Sequence, residues 1–124
     1  MSIDKRLIDE FVNVTSRAAL EASYLVGKKN KIAADKAAVD SMRAELNKMD
    51  ISGKVVIGEG ELDEAPMLYI GEKLGSNYGP ELDIAVDPLE GTNFAANNLP
   101  GALSVIAVSE KNNLFNAPET YMQK

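Results

Sequence analysis

The chain has 124 residues, a formal charge of −6 and an apolar fraction of 45%, and it contains no His, Cys or Trp. Without imidazole or thiol it cannot itself supply a Ser-His-Asp or Cys-His nucleophile pair or a His/Cys zinc cage, so any chemistry must come from carboxylates, hydroxyls, amines, backbone amides or a bound metal. The acid surplus, with no basic run longer than Lys28-Lys29, argues against a nucleic-acid backbone or an anionic membrane as partner and suits the holding of cations.

The length is that of one folded unit or of one piece of a larger one. No apolar run approaches the ~20 residues that cross a bilayer, and acids interrupt the first ten residues before any signal-peptide core forms. A cytoplasmic location is the default expectation.

In chain order, Leu7, Phe11, Val14, Ala18 and Leu25 recur at helical spacing and predict an amphipathic helix from Asp4 to Val26, stopped by Gly27. After the basic connection Gly27 to Lys31, the residues Ala38, Met42, Leu46 and Met49 predict a second helix from about Ala34 to Met49. Beyond Asp50 glycine and proline become frequent and β-branched residues come in short runs. Lys54-Val55-Val56-Ile57, Leu82 to Val86 and Ala102 to Val108 read as strands. Met67 to Leu74 fits either a short helix opened by Pro66 or a strand. Two helices followed by strands give an α+β or layered α/β order, without the regular alternation of a doubly wound fold.

Three acidic features stand where these elements begin or end. Gly58-Glu59-Gly60-Glu61-Leu62-Asp63-Glu64 follows the first strand, and its glycines let the backbone turn so that Glu59 can point into a cleft. A dinucleotide loop is rejected there, because the third glycine is missing and the acids would repel a pyrophosphate. Asp87-Pro88-Leu89-Glu90-Gly91-Thr92 follows the second strand. Pro88 is expected to end that strand, leaving Asp87 as its last side chain and Glu90 just after a turn. Two carboxylates so close repel each other unless a cation lies between them, and Gly91 and Thr92 would open the next segment with backbone N–H groups suited to a phosphate. Asp35, near the start of the second helix, is an ordinary helix-start acid on local grounds, and gains meaning only if the fold brings it to the other clusters. No stretch has the ligand spacing of an EF-hand.

With both glycine-flanked acid motifs in hand, the chain resembles class II fructose-1,6-bisphosphatases of the GlpX type. These are members of the lithium-sensitive, metal-dependent sugar-phosphatase superfamily. Asp87-Pro88-Leu89-Glu90-Gly91-Thr92 matches the superfamily signature, while Val56 to Lys73 and Asn116 to Met122 match the class II pattern. The resemblance runs over essentially the whole chain and implies the N-terminal part of an αβαβα fold, with residues 1–124 as the metal- and phosphate-binding portion of a longer enzyme. By resemblance, Asp35 and Glu59 would hold one divalent ion and Asp87 and Glu90 a second, Mn²⁺ or Mg²⁺. Glu90, Gly91 and Thr92 would touch the scissile phosphate and Tyr121 the sugar phosphate; Thr92 would position the attacking water, with Asp63 in support.

The activity so implied is hydrolysis of the 1-phosphate of fructose 1,6-bisphosphate in gluconeogenesis, by an enzyme that would be a homo-oligomer at full length. The partner is a sugar bisphosphate, with no nucleic acid and no membrane. Two other readings stand beside it: a truncated, non-catalytic metal-binding module, and the same chemistry on sedoheptulose 1,7-bisphosphate or another sugar phosphate. One departure from the family pattern is Ile32, in Lys31-Ile32-Ala33-Ala34-Asp35, where the family commonly has a polar residue.

Overall fold

A computed structural model describes residues 3–59, 67–116 and 123. Asp4 starts the first helix, α1 (Lys5–Ser23), by accepting a hydrogen bond from the Arg6 N–H, and Gly27, at φ 76°, turns the chain out after it. The buried stripe is Leu7, Phe11, Val14, Ala18 and Ala22, with Leu25 partly buried against the core. The expected helix therefore forms, ending three residues earlier than the periodicity suggested.

The second helix, α2 (Lys31–Asn47), begins before its expected start because Asn30 caps it, accepting from the Ala33 N–H. The basic run that read as a connection is partly its first turn. Its buried face passes from the small Ala34 and Ala38 to the larger Val39, Met42 and Leu46, and the helix packs on α1.

The sheet has four strands, β1 (Ser52–Ile57), β2 (Lys73–Leu74), β3 (Glu81–Glu90) and β4 (Leu103–Glu110), in the order β2-β1-β3-β4. β1 and β3 are parallel, while β1 with β2 and β3 with β4 are antiparallel. The result is a mixed sheet, in agreement with the α+β layered reading. α1 crosses β3 and β4, and α2 crosses β3 and β2, so the two helices cover one face. Ile51, Val55, Leu82 and Ile84 are buried beneath them at 0–1% exposure, and each such side chain removed from water stabilises the fold by roughly 1.5–3 kcal/mol.

Two expectations need correction. β3 does not stop at Pro88: it continues to Glu90, with Asp87 opposite Val105 and Glu90 opposite Leu103, and the register shifts between them. A proline lacks the N–H for a ladder bond, and an irregularity in the pairing is where a sheet can accommodate one. The stretch from Met67 to Leu74 is neither a full helix nor a full strand. It runs through turns, with Gly71 at φ 97°, and gives only the two residues of β2 to the sheet.

Candidate active site

The parallel pairing of β1 with β3 determines where the acids stand. Ile57 lies opposite Ala85, so Glu59 and Asp87, each two residues further on, lie toward the same end of the sheet, Asp87 still within β3. Glu59 is fixed through its main chain, its N–H donating to the Leu68 carbonyl at 2.9 Å. Gly58 makes that approach possible, since a Cβ there would come within 2.4 Å of the same Leu68 oxygen. Only a glycine fits between the strand end and that carbonyl.

Asp35 is the fifth residue of α2, one turn inside it, and α2 has no acid in its first turn. That position moves it off the helix-start role and toward β3. Its carboxyl is held above the ordinary carboxylate range, first by burial and then by the charge of Asp87. Asp87 is raised in the same direction by burial and by the charge of Glu90, with the Leu89 backbone N–H opposing in part. Asp35, Asp87 and Glu90 thus form a coupled row of like charges drawn from two elements, and among the described residues no salt bridge neutralises it.

Oxygen donors carrying uncompensated charge fit a hard divalent cation by chemistry. Among the described residues, however, no group of three or more acids is drawn together tightly enough to hold a metal ion. Asp35 meets Asp87, and Asp87 meets Glu90, as pairs.

Beyond Glu90 the chain turns at Gly91, in the left-handed region at φ 83°, and enters a short helix, α3 (Thr92–Ala96). Thr92 is its first residue, and Gly91 caps it without a side-chain bond. The Gly91 carbonyl accepts from the Phe94 and Ala95 N–H groups, and the amides of the opening residues of a helix have no partner within it. The hydroxyl of Thr92 therefore stands directly after the acid pair. α3 is also tied to the connection between the long helices: the Gly27 and Lys29 N–H groups donate to the Ala95 and Ala96 carbonyls, both at 2.9 Å. Asp63 and Tyr121 lie outside the described residues.

Sequence reading missed one polar contact beside this site. Arg43 of α2 donates from Nε to Glu72 Oε2 at 2.8 Å and from Nη2 to Glu72 Oε1 at 3.1 Å, and Nη2 also donates to the Met67 carbonyl at 2.6 Å. The Glu72 hydrogen bond leads in raising the guanidinium further above its ordinary value. The signal in the sequence was faint: an arginine next to core residue Met42, and one acid in the glycine-punctuated run before β2.

A helix pair thus lies over a mixed sheet, with Asp87 and Glu90 near the end of β3 and Thr92 opening α3 directly after it. Residues 5–124 match the family described as "Bacterial fructose-1,6-bisphosphatase, glpX-encoded", and the chain belongs to that family. It is similar to the D-fructose 1,6-bisphosphatase class 2/sedoheptulose 1,7-bisphosphatase of Prochlorococcus marinus strain MIT 9303, at 52% identity over 122 residues, covering 98% of this chain and 36% of the relative. The proteins of the same name from strains MIT 9313 and AS9601 are 51% and 52% identical over 122 residues, and the chain covers 36% and 37% of their lengths. It spans little more than a third of the curated relatives that it matches.

Proposed function

We propose that this chain carries part of the catalytic site of a metal-dependent phosphomonoesterase that hydrolyses the 1-phosphate of fructose 1,6-bisphosphate. The observation that carries the reading is the uncompensated row Asp35, Asp87 and Glu90 ending at Thr92. Asp35 with Glu59, and Asp87 with Glu90, are the residues that would hold two divalent ions, Mn²⁺ or Mg²⁺. Such ions supply neutralisation of the phosphate charge and stabilisation of the entering and leaving oxygens of an in-line displacement.

The chain's own residues would do the rest. The amides at Gly91 and Thr92 orient the scissile phosphate at the start of α3. The Thr92 hydroxyl hydrogen-bonds the attacking water and holds it in line with the ester bond, and Asp63 supports it. Water oxygen bonds to phosphorus, the bond from phosphorus to the sugar oxygen breaks, and a proton passes to the departing sugar oxygen. Tyr121 would contact the sugar phosphate. In this reading the enzyme works in the cytoplasm in gluconeogenesis and is a homo-oligomer, with neither nucleic acid nor membrane as partner. Among the described residues no helix is long and apolar enough to cross a membrane.

A phosphate-release assay on the full-length gene product with fructose 1,6-bisphosphate and Mn²⁺ tests the proposal. Turnover is expected, falling by roughly 10²-fold or more in Thr92→Ala, as for loss of a group that positions a reactant, and to background in Asp87→Ala. No release, or release indifferent to both changes, refutes it. The names of the relatives favour a second substrate, sedoheptulose 1,7-bisphosphate, which the same assay covers.

A further inference from the structure

We propose that Arg43 is the positioning residue for Glu59, acting as a clamp on the backbone against which Glu59 is registered. The contacts form an unbroken path. Arg43 holds the Glu72 carboxylate with two bonds and the Met67 carbonyl with a third. The next residue, Leu68, is fully buried, and its carbonyl accepts the Glu59 N–H at 2.9 Å. At the other end, the Glu72 carbonyl accepts from the Val55 N–H and the Val55 carbonyl accepts from the Gly71 N–H, at 2.9 and 2.8 Å. Both ends of the stretch from Met67 to Glu72 are thus laid along the strand that leads into Glu59.

The stretch has little regular structure to hold it, since only Lys73 and Leu74 after it join the sheet. A planar guanidinium suits the task, because its fixed fork satisfies a carboxylate and a carbonyl together. The ammonium of a lysine, a single point of charge, has no such fixed fork. The Glu72 side chain is 11% exposed and that of Arg43 25%, so the carboxylate is largely shielded from water while the guanidinium keeps part of its surface in it. The donor and the metal-side acid share a helix: α2 carries Asp35 near its start and Arg43 two turns on. Through Arg43, the helix that supplies one carboxylate also sets the backbone of another. The link to metal binding rests on the reading of Glu59 as a ligand; the link to the position of Glu59 does not.

The experiment separates the two. Amide hydrogen exchange is followed in the metal-free chain for wild type, Arg43→Met, Arg43→Lys and Glu72→Gln. Protection of the Glu59 amide is expected to fall at least ~10-fold in Arg43→Met and Arg43→Lys, while the β3 amides of Ile84 and Val86 keep theirs, as a local opening requires. Retained protection at Glu59 in both Arg43 variants overturns the proposal, as does an equal loss across β3, which would mark Arg43 as a general stabiliser. A parallel Mn²⁺ titration compares Glu59→Gln with Arg43→Met, and both are expected to weaken binding. Weakening in Glu59→Gln alone counts against the clamp. If Glu59→Gln leaves Mn²⁺ binding unchanged, the ligand reading of Glu59 falls and the exchange result still decides the clamp.

Discussion

Asp87 shows how the clustering of like charges opposes the stability of the fold that carries them. Its carboxyl, like that of Asp35, is raised by burial and by neighbouring negative charge, so each binds its proton more tightly in the folded chain than in the unfolded one. The metal-free fold therefore gains stability from these groups as pH falls through their raised folded values. The gain is complete below the unfolded value of about 3.9, and on the alkaline side it is lost. Asp87→Asn removes the repulsion. In urea unfolding without metal at pH 7 it is expected to be more stable than wild type by no more than about 1 kcal/mol, because both acids are half in water and solvent screens them. That advantage should vanish below about pH 4, where the wild-type carboxyls are themselves protonated. On the proposed reading of Asp87 as a metal ligand, the order should reverse with Mn²⁺ present.

Gly58 makes a complementary case, in which the constraint is space. A methyl group there meets the Leu68 oxygen at 2.4 Å and Val55 Cγ1 at 2.7 Å, and neither a backbone carbonyl nor a packed core side chain can yield cheaply. Gly58→Ala is expected to cost about 1–3 kcal/mol in denaturant unfolding, as overpacking does. The Glu59 amide should lose its protection first.

Among the elements, α2 matters most, because it carries Asp35 and packs on β3. Asn30→Ala removes the side chain that caps the helix, a loss of ~1 kcal/mol, readable as a lower thermal midpoint with the native fold retained. The start of α2 was hidden in the sequence. Lys31, Ile32 and Ala33 carry no apolar stripe, Ile32 being 76% exposed, so periodicity began only at Ala34 while the capping residue, Asn30, stands four residues earlier. The long apolar stripe of α1 and the β-branched runs of β1 and β3 were legible because burial on one face writes itself directly into residue type. The passage of β3 through Pro88 was not, since local chemistry forbids a ladder bond at proline and only the pairing of Glu90 with Leu103 carries the strand past it. Of the site, the motifs gave Asp87, Glu90 and Thr92 as neighbours, while the approach of Asp35 to Asp87 arises from packing between α2 and β3, which no local pattern encodes.

Across the whole molecule, the sheet ends on β4, which pairs among the described residues only with β3. Leu103 and Val105 on it are 57% and 40% exposed, and Ile8 and Val12 on the neighbouring α1 are 51% and 58% exposed. An apolar edge strand with unpaired backbone groups is a template for further pairing. Concentration-dependent self-association of this 124-residue chain is therefore expected in analytical ultracentrifugation, and Val105→Lys, which places a charge on the edge, should reduce it.

The parallel pairing of β1 with β3 has a consequence for how much this region can vary. Parallel neighbours cannot be joined by a tight turn; the chain must travel back the full length of the sheet before it starts the second strand. In this protein the return path is the stretch that leaves β1 at Glu59, passes Arg43's partners and runs down β2. Within that stretch the return itself is made by residues 67–80, since the Glu59 N–H already meets the Leu68 carbonyl before the chain turns back. Shorten that path, and β3 can no longer reach its place beside β1. Lengthening it costs only the slow logarithmic penalty of a larger loop, so natural variants of this connection should differ by insertion far more readily than by deletion.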